Sequence, residues 1–308
     1  MLKKGIYKNR STLCHLLILL TLIITGSVFS SLIGIGSFMA IYGLNANIYD
    51  HTNALLFVQL ISAIGTFLLP SIGTAWFCSN DIKNYLSIGK TPNSKILFYT
   101  FISMLLLSPF ISFTGTLNEM MNLPEFLKPV EDWMRIQEET ARQLTESLLN
   151  NPGILAFISN LIVIAIVAGI TEEFLFRGAL QKVIERGISN HHIVIWVAAI
   201  LFSAFHLQFF GFIPRLLMGA YFGYLLYWGK NIWVPVFAHF MNNAFAVIFM
   251  SNGIKDTPFV TKEMKYITGE IQDGQLLPFG IMATCCLILF YFCAKKLRDI
   301  LTVKDPSF

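Results

Sequence analysis

Eight apolar stretches, at approximately 13–43, 54–78, 96–117, 154–180, 192–210, 212–229, 231–250 and 276–294, constrain this chain more than any other feature. Each approaches or exceeds the ~20 residues that a helix needs to cross the ~30 Å hydrocarbon core of a bilayer. Lipid offers no water to pair with backbone N–H and C=O groups, so segments of this kind fold as helices that close their own backbone bonds. The composition, 55% hydrophobic and 13% charged, lies outside the balance of soluble domains. The expected fold class is all-α, a polytopic membrane bundle of about eight transmembrane helices.

The basic residues give that bundle an expected orientation, because short cytoplasmic loops hold the excess of Lys and Arg. With the N-terminus inside, fourteen of the 22 Lys and Arg fall on inner segments and six on outer ones; Arg177 and Arg215 lie within or at the edge of spans. Both termini are therefore expected to be cytoplasmic, in a plasma membrane of bacterial type. The first apolar stretch is too long for a cleavable signal and reads as the first membrane helix. A net charge of +4 follows from this topology and gives no reason to expect a nucleic-acid partner; the expected partners are membrane lipids and a membrane-associated substrate. The five cysteines show no CxxC spacing and read as packing residues.

Along the first third, small residues such as Ser30 and Gly34 let helices approach closely, and Pro70 and Pro109 are expected to kink theirs. Nothing there proposes chemistry. The segment 118–152 differs, with seven acidic residues against three basic ones. From Glu131 onward Trp133, Ala141, Leu144 and Leu148 recur at helical spacing, which predicts an amphipathic helix at the outer interface. Gly219 and Gly223 stand four apart and suit close helix packing. His15, His51, His191 and His192 fall near helix ends, where water reaches an imidazole, and are assigned no role.

The polar groups at membrane depth cluster late. Glu172, Glu173 and Arg177 interrupt an apolar helix, although one carboxylate at the bilayer centre disfavours insertion by roughly 2.5–3.5 kcal/mol. His206 follows Phe202 on the next helix, and His239, Asn242 and Asn243 lie two helices later. Glu173 and Arg177 are one helical turn apart in the orientation that favours an ion pair, and Glu172 is turned about 100° from Glu173. His239 and Asn243 share a face. At ~1.5 Å per residue, Glu172 lies roughly 15 Å, His206 roughly 22 Å and His239 roughly 13 Å from the inner ends of their helices, so all can meet in one cavity. Such a cavity suits hydrolysis of an amide bond: a carboxylate takes a proton from water, and imidazole or amide N–H groups stabilise the oxyanion. Alternatively, Glu172, His206 and His239 could hold zinc. Uptake of protons or cations by a transporter, and a scaffold that holds a partner's membrane segment, are the readings from other classes.

Glu172-Glu173-x-x-x-Arg177, Phe202-x-x-x-His206 and His239-x-x-x-Asn243, in this order on late helices, resemble the three motifs of the CPBP family, the type 2 CAAX prenyl proteases and bacteriocin-processing intramembrane proteases. The resemblance covers about 154–250. It implies an intramembrane endopeptidase acting on a membrane-associated or lipidated peptide or protein. In the family's terms Glu172 is the water-activating base assisted by His206, Glu173 and Arg177 are its supporting pair, and His239 with Asn243 forms the oxyanion site. The family is often labelled metalloprotease, but a metal-free glutamate mechanism is favoured here because asparagine is a poor zinc ligand. The expected organisation is one integral domain: N-terminal helices and connector over 1–150, a CPBP-like catalytic core over 151–250, and an outer loop, last helix and basic tail over 251–308.

Overall fold

The computed structural model describes residues 3–149, 153–250 and 276–302. Among them, seven helical spans are long and apolar enough to cross a membrane, and the molecule is an all-α integral membrane protein. Helix α1 (Thr12–Tyr42) is followed by α2 (Thr52–Cys78), α3 (Ser94–Glu119), α4 (Lys128–Leu149), α5 (Ile154–Glu185), α6 (His191–Phe205), α7 (Phe212–Gly229), α8 (Trp233–Met250) and α9 (Leu276–Thr302). Of the eight expected spans, the stretch 192–210 is the one whose helix is not among these seven. Helix α6 has 15 residues, about 22 Å at 1.5 Å each, and stops at Phe205. Leu207 then adopts the left-handed region with φ 54°, which continues no helix.

Helix starts follow the local chemistry. The side chains of Ser11, Asn93 and Asn190 accept hydrogen bonds from backbone N–H groups in the first turns of α1, α3 and α6, groups that have no partner within a helix. The small residues on α1 do bring it against α2. A Cβ on Gly26 would lie 2.0 Å from the carbonyl oxygen of Gly65, and one on Gly65 would lie 2.4 Å from Ser30 Cβ. At this crossing the two backbones touch, so no side chain fits between them.

The two prolines sit in different local backbones. Helix α3 runs on through Pro109. In α2 the irregularity is a wide i→i+5 turn over Ile64–Leu68, just before Pro70, where the missing proline N–H would otherwise break the regular ladder. His15 also departs from expectation: it is fully buried, with Nε2 2.8 Å from the Tyr7 carbonyl oxygen, so that end of α1 is closed by the N-terminal turns and excludes water.

Helix α4 is the expected amphipathic element. Its polar face is laced by Lys128–Asp132 at 2.8 Å and Glu131–Arg135 at 2.8 Å, while Leu148 packs with Leu55, Leu56 and Val163 in one apolar cluster. One core forms around α7, which packs against α3, α6, α8 and α9. Gly219 and Gly223 make this possible, since a Cβ on Gly223 would stand 2.8 Å from Ile195 Cγ2 on α6. All five cysteines are free thiols; Cys78 is buried, Cys14, Cys286 and Cys293 are half-buried, and Cys285 is exposed. The expected outer loop 251–275 and the tail beyond Thr302 lie outside the described residues.

Candidate active site

Helix α5 presents the two carboxylates from a short regular stretch, Ala168–Glu173, between two wide i→i+5 turns at Leu161–Val167 and Phe174–Leu180. Turns of this kind add a residue to the helical repeat and shift the face on which later side chains emerge. Gly169 lets α8 come close, as a Cβ there would lie 3.2 Å from the Phe240 backbone nitrogen. Helix α8 can therefore lay His239 directly against Glu173.

Glu173 and Arg177 are buried, with side-chain exposures of 0% and 1%, and pair at 2.9 Å. Burial of this kind is tolerable only where each charge is further satisfied. Arg177 donates a second hydrogen bond to the Gly219 carbonyl oxygen at 2.9 Å and lies with Cζ 4.4 Å above the Phe202 ring. A Cβ on Gly219 would stand 3.3 Å from Arg177 Nη2 and 3.0 Å from Phe202, so glycine makes room for the guanidinium. Glu173 Oε1 also accepts from His239 Nδ1 at 2.8 Å. Phe222 stacks on His239 with ring centres 5.2 Å apart, and the imidazole is fixed on one edge and one face.

Glu172 points elsewhere, as its 100° offset requires. Its Oε2 lies 3.8 Å from His206 Nε2 and 3.9 Å from His239 Nε2. This oxygen is buried without a hydrogen-bond partner. His206 Nδ1 is 2.9 Å from the Phe202 carbonyl oxygen. Carbonyl and carboxylate oxygens accept, so each histidine donates from Nδ1 and, when neutral, turns a lone pair on Nε2 toward Glu172. Three acceptors thus face one another across gaps too wide for direct bonds, with no donor between them. A water about 2.8 Å from each neighbour spans gaps of this width and brings the two donors that are lacking.

Zinc fits this set less well. Ligand atoms on a tetrahedral zinc with bonds of ~2.0–2.1 Å stand roughly 3.3–3.4 Å apart, closer than Glu172 stands to either histidine. Among the described residues no group of three His, Cys, Asp or Glu side chains is disposed to hold a metal ion.

Asn243 is drawn partly away from the centre. Its Nδ2 donates to the Ile164 carbonyl oxygen at 2.9 Å, within the first wide turn of α5, and its Oδ1 accepts from Asn242 at 3.0 Å. One N–H of its amide remains for other use.

Several supporting residues carried no signal in the sequence. Ser203 Oγ donates to the Phe212 carbonyl oxygen at 2.7 Å, closing the 206–211 turn. Asn118, at the end of α3, donates to the Phe209 carbonyl oxygen at 3.1 Å and accepts from the Ile213 N–H at 2.9 Å. Arg215 donates to the Gln208 carbonyl oxygen at 3.0 Å. Helix α4 reaches the same turn: Trp133 lies 5.4 Å from Phe209, Arg135 4.5 Å above Phe210, and Gln208 donates to Glu138 at 3.4 Å. A lone Asn at a helix end and an Arg at the edge of a span were the available hints, but their partners are distant in sequence.

Residues 154–245 match the family described as type II CAAX prenyl endopeptidase, Rce1-like. That segment is similar to the Rce1-like family over about three-tenths of the chain. The match coincides with α5 to α8 and includes all of Glu172, Glu173, Arg177, His206, His239 and Asn243, in agreement with the CPBP resemblance carried by the motifs. Two proteins of Bacillus subtilis (strain 168) are similar over the same order of length. "Uncharacterized protein YpbD" is 31% identical over 91 residues, 28% of this chain and 43% of that protein. "Putative membrane peptidase YdiL" is 32% identical over 100 residues, 31% of this chain and 39% of that protein. The chain thus spans about two-fifths of the length of these curated relatives. No solved structure matches the chain.

Proposed function

We propose that this protein is an intramembrane endopeptidase that hydrolyses a peptide bond of a membrane-associated or lipidated protein, with water activated by Glu172. The observation that carries this reading is the buried, unpartnered Glu172 Oε2 facing two imidazole nitrogens at 3.8 and 3.9 Å. A water in that space donates one proton to Glu172 and the other to His206 Nε2, and its lone pairs are left to meet a carbonyl carbon. Glu172 takes the first proton as the C–O bond forms, and the carbonyl π electrons move onto oxygen. When the tetrahedral intermediate collapses, the C–N bond breaks and Glu172 returns the proton to the leaving amine.

Asn243 and His239 are assigned to the oxyanion. Asn243 offers its remaining N–H, and His239, held by Glu173 through Nδ1, lines the same site. Donors fixed in a dry site stabilise developing charge more than mobile water does. Glu173 and Arg177 act at one remove, by holding His239. The Rce1-like match supports the substrate class, a chain tethered to the membrane near its C-terminus by a lipidated cysteine. Placement in a bacterial plasma membrane with cytoplasmic termini rests on the charge bias of the loops.

The test is cleavage by the full-length protein, purified in detergent, of membrane-tethered and prenylated peptides, with products identified by mass. The proposal expects release of a peptide from at least one of them by wild type and none by Glu172→Ala or His206→Ala. Equal release by wild type and Glu172→Ala would contradict it.

A further inference from the structure

On the side of α7 away from Arg177 and His239, helices α3, α7 and α9 enclose a groove of about 600 Å³. Its floor is fixed. Tyr221 donates to Ser103 Oγ at 2.7 Å, and its ring meets Phe290 edge-on with centres 5.0 Å apart. Leu107, Phe110, Leu217 and Leu287 make the walls apolar. Along α9 the lining runs from Leu287 to Arg298, eleven residues or about 16 Å, which is close to the depth of one leaflet of a ~30 Å hydrocarbon core.

The two ends differ in chemistry. Lys295 and Arg298 stand at one end only, together with Trp196, Tyr224 and Trp228. Tyr224 stacks near Trp228 with ring centres 5.6 Å apart, and its hydroxyl is 2.6 Å from His192 Nδ1. Aromatic rings of this type settle at the level of lipid headgroups. Asp299 offsets part of the positive charge, pairing with Arg298 at 3.2 Å, but Lys295 and Lys296 leave this last part of α9 basic. A basic mouth at headgroup level, leading into an apolar trough one leaflet deep, is complementary to one amphiphile.

We propose that this groove is a binding site for an anionic glycerophospholipid of the leaflet at that end, with its phosphate at Lys295 and Arg298 and one acyl chain along α9. Basic pockets between membrane helices bind anionic headgroups in this way. A cationic tethered peptide would meet the wrong charge at the mouth. The site is separate from the proposed hydrolytic centre and does not depend on that assignment. The lipid would complete the packing of α7 on its outer side, while the opposite side of the same helix holds Arg177 through the Gly219 carbonyl oxygen.

The full-length protein in nanodiscs of mixed phosphatidylglycerol and phosphatidylcholine is released into the gas phase, and the lipids it keeps are counted by native mass spectrometry. Wild type is expected to retain one phosphatidylglycerol in preference to phosphatidylcholine. Lys295→Gln with Arg298→Gln should lower that preference by about thirtyfold, from two headgroup contacts. Leu217→Trp, which fills the trough and leaves the charges, should lower it as well. Lys8→Gln with Lys83→Gln removes two exposed charges elsewhere and should leave it unchanged. Absence of a preference in wild type, equal loss in the Lys8 and Lys83 control, or full retention in Leu217→Trp would each overturn the proposal.

Discussion

Replacing Arg177 by methionine keeps most of the side-chain volume and removes the charge that the core of α5 is built around. In the variant Glu173, fully buried, retains only His239 as a partner, and the Gly219 carbonyl oxygen loses its 2.9 Å donor. Breaking a buried pair by removing one member costs about 3–5 kcal/mol, because a charge is left without compensation. Loss of the contact between Arg177 and the Phe202 ring at 4.4 Å acts in the same direction. Arg177→Met is therefore expected to lower unfolding stability by about 3–5 kcal/mol, read from denaturant titration in mixed micelles. In the double variant Glu173→Gln, Arg177→Met the stranded charge is gone, and about 1–3 kcal/mol should be recovered relative to the sum of the single variants. A loss below about 1 kcal/mol in Arg177→Met, or strict additivity in the cycle, would refute the view that this pair holds the centre together.

Other expectations follow from particular contacts. Gly223→Ala places a methyl 2.8 Å from Ile195 Cγ2 and should cost about 1–3 kcal/mol in the same titration by overpacking the α6–α7 seam. Asn118→Ala removes two hydrogen bonds that brace the 206–211 turn and should cost about 1–3 kcal/mol, with faster proteolysis confined to that turn. On α4 the hydrogen bond from Arg135, then the Leu123 N–H, hold the Glu131 carboxyl below its usual 4.5, and Arg142 holds Glu139 down to about 2. A depressed folded value means that this support for α4 is fully present above pH 4.5 and is lost as pH falls toward about 2. Amide exchange over 128–149 should rise across that window, and should change less with pH in Arg142→Met.

The fold was legible wherever hydropathy and helical spacing sufficed. Apolar length identified the spans, and the helical spacing of Trp133, Ala141, Leu144 and Leu148 identified α4. The end of α6 was not legible, because Leu207, Phe209 and Phe210 keep the sequence apolar while the left-handed backbone at Leu207 has already stopped the helix. The wide turns of α5 were equally hidden, since hydropathy does not distinguish an i→i+5 turn from an i→i+4 one. At the candidate site the Glu173–Arg177 pair could be read from a spacing of four. The Glu173–His239 contact could not, because it joins positions 66 residues apart and depends on how closely α8 meets Gly169. For the same reason the sequence placed Asn243 beside His239 but could not tell that its amide would be shared with the Ile164 carbonyl oxygen.

The central claim, that Glu172 activates water between two imidazoles, is tested most directly by the cleavage rate of Glu172→Gln beside wild type on one cleavable substrate, with and without a zinc chelator. Glutamine keeps the size of the side chain and cannot take the proton, so the rate should fall by about 10²–10⁴-fold at unchanged unfolding stability, with wild type insensitive to chelator. A rate within a few-fold of wild type, or loss of wild-type cleavage on chelation with recovery on adding zinc, would contradict the account.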